Sequence, residues 1–190
     1  MNLFFLNLDP KQCAIEHLDK HCVKMILEVV QMLYTAHHLQ GEPPDFAYRK
    51  AHVNHPTCVW IRRTKENYTF AVKVAYCLNE EYKYRYNNIH SCEKHINWLI
   101  NNIPDFKKVP DEYKGTTTLV SSKDIQTMNL TPIPLAMPDE CKLSDPVKSY
   151  RNYYIMKKAR FAVWTGRPIP RWFTPINIRY LFQKTDNVLN

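Results

Sequence analysis

No run of 18 uncharged apolar residues occurs in the 190-residue chain, so no transmembrane span is expected. The opening Met-Asn-Leu-Phe-Phe-Leu-Asn-Leu-Asp9 lacks a basic region and is too short for a secretory signal, so the protein is expected to be intracellular and not secreted. The six cysteines, Cys13, Cys22, Cys58, Cys77, Cys92 and Cys141, include no C-x-x-C pair. That argues against a zinc knuckle, and the apolar patterns around several of them read as reduced core residues. No H-E-x-x-H or E-x-x-H spacing occurs. His21 and Glu28 stand about 10 Å apart along a helix axis, too far to share an ion without unusual reach. A metal set joining His38 to His52, His55 or His90 stays open, but no metal and no cofactor is the expectation.

What is present is a chain 45% hydrophobic and 13% aromatic, which excludes disorder and supplies a core for one domain. No internal repeat and no domain-scale linker divides residues 1–190. Asp9-Pro10 combines an N-cap with Pro at the first helical position and opens a short helix to about Leu18. A long helix follows, either separate or continuous with the first, and ends near Gln40-Gly41. The polar turn His52-Val-Asn-His55-Pro56 feeds a helix reaching about Tyr86, and another covers about 91–102. Residues 104–140, rich in Pro, form a long loop suited to wrapping the core or covering a cleft. Asp145-Pro146 opens a last helix to about Thr165, stopped by Gly166, with Trp172, Phe173, Tyr180 and Leu181 packing the tail. The fold class is mainly α: a single compact helical domain with a long central buried helix and a long Pro-containing loop.

That central helix, Asp19–His38, contains neither Gly nor Pro and spans about five turns. On a helical wheel Lys20, His21, Lys24, Glu28, Gln31, Thr35 and His38 recur at steps of three or four and fill a sector about 100° wide. The rest of the girth is apolar, with Val23, Ile26, Val30 and Leu33 expected inside. A helix of this kind is usually interior, and charge on its one polar seam is costly unless paired. The seam is then either a site on a concave surface or a plain solvent face. In the second case Lys24 and Glu28 are a surface pair contributing roughly a few tenths of a kcal/mol. As a site, Lys24 offers an amine and Glu28 a carboxylate one turn apart, with Lys20 and His21 nearby to raise the free-amine fraction. This suits displacement at a sugar carbon through a Schiff base, with Glu28 as general acid/base. It also suits plain anion binding by Lys20, His21 and Lys24.

The net charge is +8, and Lys142–Phe173 carries eight Lys/Arg against one acid, Asp145. Tyr150, Tyr153, Tyr154, Phe161, Trp164 and Trp172 are interleaved with them. Cations for phosphate and rings for bases suit a nucleic-acid surface; the alternative is a solvated face with its aromatics in the core. His52 and His55 in their turn, Arg85 in Tyr84-Arg-Tyr86 and Arg151 in Tyr150-Arg-x-Tyr-Tyr154 join Lys20, His21, Gln31 and His38 as candidate substrate-binding residues. An Arg among rings equally suits a structural stack.

Together, Asn7-Leu-Asp-Pro10, Asp19-Lys-His-Cys-Val-Lys-Met-Ile-Leu-Glu28, Thr35-Ala-His37, His52-x-Asn-His-Pro56, Tyr84-Arg-Tyr86, Ala136-Met-Pro-Asp-Glu140 and Tyr150-Arg-Asn-Tyr-Tyr154 resemble the successive motifs of a small protein family encoded by large phages and giant viruses. The resemblance spans about residues 3–165, brings no activity with it, and implies host cytoplasm or virion as location. More distantly, Asp-x-His with a Glu seven residues after the His is similar to the endonuclease V type pyrimidine-dimer DNA glycosylases of phages. In that family of small, basic, all-α proteins the Glu is catalytic and the N-terminal α-amine is the nucleophile. The resemblance implies Glu28 as catalytic carboxylate and His21 as a DNA contact.

The chain departs from that pattern at Asn2, which is larger than the residue the family exposes by losing Met1. Either the amine of Met1 serves, or Lys20 or Lys24 replaces it. The expectation is a metal-independent DNA glycosylase/AP lyase acting on DNA or a nucleotide, with Glu28, Lys24 and Met1 catalytic and His21 and Arg151 orienting phosphate. The alternatives are a metal-dependent nuclease or nucleotide-modifying enzyme, and a non-enzymatic viral protein that binds nucleic acid or a host factor. No membrane partner is expected.

Overall fold

Four successive apolar side chains, Leu3 to Leu6, leave the start of the chain no face for solvent, and all four are buried in an extended segment outside any sheet. The computed structural model describes residues 2–41, 43–107 and 112–174. Asp9 caps α1 (Pro10–Glu16), its carboxylate accepting the Gln12 N–H at 2.7 Å, and Pro10 sits where a missing N–H is harmless. α1 does not run on: His17 and Leu18 are extended and turn the chain into α2 (Asp19–Gln40). Gly41 closes α2 with φ 91°, a left-handed cap open to a residue without Cβ.

The helix expected from Pro56 to Tyr86 is two helices, α3 (Pro56–Ile61) and α4 (Lys65–Tyr86). Thr64 makes the break: it is extended, and its hydroxyl accepts the Asn67 N–H at 3.1 Å as the N-cap of α4. α5 (Glu93–Asn101) follows. The Pro-rich stretch carries β1 (Leu119–Val120), α6 (Lys123–Thr127) and β2 (Ile133–Pro134), with β1 and β2 antiparallel and Leu119 opposite Pro134. It wraps the core, accepting the Trp60 indole N–H on Thr131 O and the Tyr150 hydroxyl on Pro134 O. α7 (Pro146–Lys157) stops well short of Thr165. The chain beyond it is drawn onto the α1–α2 junction, where Val163 O accepts the Asp19 N–H and Trp164 donates to Glu16 O.

The result is a mainly α fold in which α4 packs against α2 and α1. Phe5, Trp60, Tyr34, Tyr68 and Tyr150 fill its interior. Ile26, Val30 and Leu33 lie inside as expected, but Val23 is 39% and Leu27 38% exposed. The solvent sector of α2 centres on Lys20, Lys24 and Gln31, and these two apolar residues form its far flank. All six cysteines are free, with only Cys77 not fully buried. Trp172 and Phe173 pack against the core, while Tyr180 and Leu181 lie outside the described residues. Among the described residues no helix is long and apolar enough to cross a membrane.

Candidate active site

The seam of α2 is tilted, one flank in solvent and the other sunk. Glu28 is only 8% exposed, whereas the side chain of Lys24, one turn earlier, is 68% exposed. Lys24 Nζ lies 3.3 Å from Glu28 Oε1. Glu28 Oε2 accepts the backbone N–H of Asn2 at 2.8 Å, a charge-assisted bond that offsets the burial of the carboxylate. Asn2 is itself held at both ends of its side chain. Its Oδ1 accepts from the Thr57 hydroxyl at 3.0 Å and the Leu3 N–H at 2.9 Å, and its Nδ2 donates to Ala136 O at 3.0 Å. Four parts of the chain therefore meet at Glu28: the extended start, α2, the first turn of α3 and the loop after β2.

His55 stands at the same turn. Its Nδ1 accepts the Thr57 N–H at 3.2 Å, so the neutral ring carries its proton on Nε2. Burial pulls its pKa down to about 4, the charge of His52 adds to this, and Glu28 opposes it. The ring is neutral at pH 7. His52, exposed, takes the left-handed region at φ 50°, a strained place for a residue with a Cβ. Arg62 supports this turn from within, donating to Val53 O at 2.6 Å.

Toward the start of α2 the site becomes aromatic. His21 stacks on Phe4 with ring centres 4.6 Å apart, and Phe4 continues to Tyr153 at 6.0 Å. Burial, then the charges of His17, Lys158 and Lys24, lower the His21 pKa to about 3. Lys158 Nζ lies 4.7 Å above the Tyr153 ring. Lys20 and Arg160 both sit over Phe161, at 5.1 and 5.8 Å, and Phe161 lies 6.0 Å from His21. Lys20, Lys158 and Arg160 form no ion pair among the described residues. They gather at the His21 end of the seam, about 10 Å along the axis from Glu28, while Lys24 lies between the two.

Several expected site residues are placed elsewhere. Arg85 is a structural clamp: its buried guanidinium donates to Glu81, Asp19, His17 O and Ile15 O, which spends four of its five N–H donors inside the protein. Arg151 bonds Leu6 O and Glu16 and stacks over Trp172, tying the extended start to α1. His38 hydrogen-bonds Tyr48 O, ten residues and about 15 Å along the axis from Glu28. Gln31, half-buried, lies one turn beyond Glu28 on the same face. Met1 lies outside the described residues. In the basic C-terminal part, Lys142, Lys157 and Arg167 are paired with Asp139, Glu140 and Glu81.

Among the described residues no three His, Cys, Asp or Glu side chains are grouped to hold a metal ion. Asn2, Phe4 and Thr57 are the site residues that the sequence did not announce; each is recruited by a contact far away in the chain. A groove of about 520 Å3 lined by Pro10, Val72, Tyr76, Ile100 and Ile103 includes no seam residue. In comparison with known proteins, no family model, no curated protein and no solved structure matches this chain.

Proposed function

We propose that the protein is a DNA glycosylase with lyase activity, with Glu28 as general acid/base and an amine beside it as nucleophile. The observation that supports this reading is the bond from the Asn2 N–H to Glu28 Oε2, which seats the Asn2 peptide nitrogen on a buried carboxylate. The α-amine of Met1 is three covalent bonds from that nitrogen. An α-amine loses its proton near pH 8 and an ordinary lysine near about 10.4, so the α-amine holds the larger free-base fraction at neutral pH. Lys24, exposed and paired with Glu28, is the second candidate.

In the reaction, the amine nitrogen bonds to the sugar C1′ while the bond to the base breaks and its electron pair leaves with the base. The proton lost by the amine passes to Glu28, which returns it to the ring oxygen as the sugar opens to an imine. Glu28, a carboxylate again, takes a C2′ proton, the electron pair of that C–H bond expels the 3′ phosphate, and water adds to the imine carbon and frees the amine. Lys20, Lys158 and Arg160, seated over the Tyr153 and Phe161 rings, supply phosphate contacts. The setting is host cytoplasm or virion. Borohydride, which reduces the imine to a stable amine, tests the reading: wild type should cross-link to abasic DNA, and absence of any adduct at saturating DNA would end it.

A second reading, nucleic-acid binding without catalysis, is favoured by the cationic aromatic rim alone. DNA binding that weakens with salt, with no adduct formed, would support it.

A further inference from the structure

The Asn2 carboxamide accepts from the Leu3 N–H and the Thr57 hydroxyl and donates to Ala136 O, which ties it to two distant parts of the chain. Of its two donors, the one from further along the chain is Thr57, fully buried, the second residue of α3. Its branched Cβ restricts the rotamer and so fixes where the hydroxyl points. Its own N–H is occupied by His55 Nδ1, which fixes the turn that carries it. With the carboxamide locked, the backbone N–H of Asn2 has one direction left to it, toward Glu28 Oε2.

We propose that Thr57 is a positioning residue: through the Asn2 carboxamide, its hydroxyl holds the backbone N–H of Asn2 on Glu28 and so fixes that carboxylate. The inference rests on reading Glu28 and the amine beside it as the reacting pair. A residue acting this way fixes the carboxylate that takes the amine's proton without touching substrate, so it should govern the rate of imine formation and leave DNA affinity alone.

The test uses the full-length protein with Thr57→Val, which keeps the branched shape and removes the donor, and Thr57→Ser, which keeps the donor. Solvent exchange of the Asn2 amide proton, melting, DNA affinity and the rate of borohydride trapping on abasic DNA are measured on each. Removal of one hydrogen bond corresponds to about a fivefold effect. In Thr57→Val, Asn2 exchange should therefore quicken about fivefold or more, and trapping should slow by at least as much at unchanged affinity. Thr57→Ser should match wild type in both. Unchanged Asn2 exchange in Thr57→Val overturns the inference, as does an equal loss in Thr57→Ser. If the valine variant fails to fold, Thr57→Ala carries the same expectations. If wild type traps nothing, the glycosylase reading fails, and the exchange measurement alone still decides whether Thr57 holds Asn2 on Glu28. If wild type and Thr57→Val trap at equal rates, the positioning role is overturned and the glycosylase reading stands.

Discussion

His21 Nδ1 and the Tyr154 hydroxyl lie 2.6 Å apart beneath Phe4. Burial raises the Tyr154 pKa far above its ordinary value, so the phenol keeps its proton and donates it to the neutral imidazole. This pair marks His21 as part of the wall of the site, its charge suppressed by burial and by the cations around it.

The first prediction is a loss of stability in mild acid. Burial lowers the pKa of His17 to about 4, and burial with neighbouring charges lowers that of His21 to about 3, against 6.5 for an ordinary histidine. Below pH 6.5 the unfolded chain therefore binds protons that the folded one refuses. The stabilisation from these rings is fully present above that pH and drains away as pH falls toward the folded values. Each ring contributes at most about 1.4 kcal/mol per pH unit in that window. Denaturant unfolding at pH 7.5 and 5.5 should show the drop, and replacing both His17 and His21 by Gln should reduce it, leaving the share that comes from His55.

The second concerns Arg85, an expected substrate contact that the structure assigns to the interior. Arg85→Met should destabilise by about 3 kcal/mol or more, because Glu81 and Asp19 lose a buried partner. DNA affinity per folded molecule should not change. A folded variant of ordinary stability with weakened DNA binding would return Arg85 to the site.

The third separates the free cations from the spent ones. Replacing Lys20, Lys158 and Arg160 by Ala should weaken DNA binding and flatten its dependence on salt, by a slope change of about 1 for each phosphate no longer neutralised. Replacing Lys142 and Lys157, held by Asp139 and Glu140, should change the slope far less. Equal effects from the two sets would show that a diffuse charge is at work.

Local signals were readable because their physics is local. Asp9-Pro10 and Asp145-Pro146 start helices and Gly41 stops one, each through groups within four residues. The periodicity of Asp19–His38 likewise announced a mostly buried helix with one polar seam. The break at Thr64 escaped notice because apolar spacing runs through it, while the cap that decides it is a single hydroxyl. Arg85 and Arg151 were undecidable in the sequence, since rings flank an arginine equally at a substrate or in a stack. The link from Asn2 to Glu28 spans 26 residues of chain, and Thr57 enters only through tertiary packing. The sequence marked Asn2 merely as a departure from a pattern, and its role as the contact of the carboxylate became visible in the fold.

The most direct test of the account is single-turnover borohydride trapping on abasic DNA by Glu28→Gln, with melting and DNA affinity measured on the same preparation. Gln keeps the shape and can still accept the Asn2 N–H, but it cannot take up a proton. As general acid/base, Glu28 should supply about 100-fold or more in rate. The account predicts a folded protein that binds DNA as wild type does and traps at least that much more slowly. A folded variant that binds DNA and traps at the wild-type rate would contradict it.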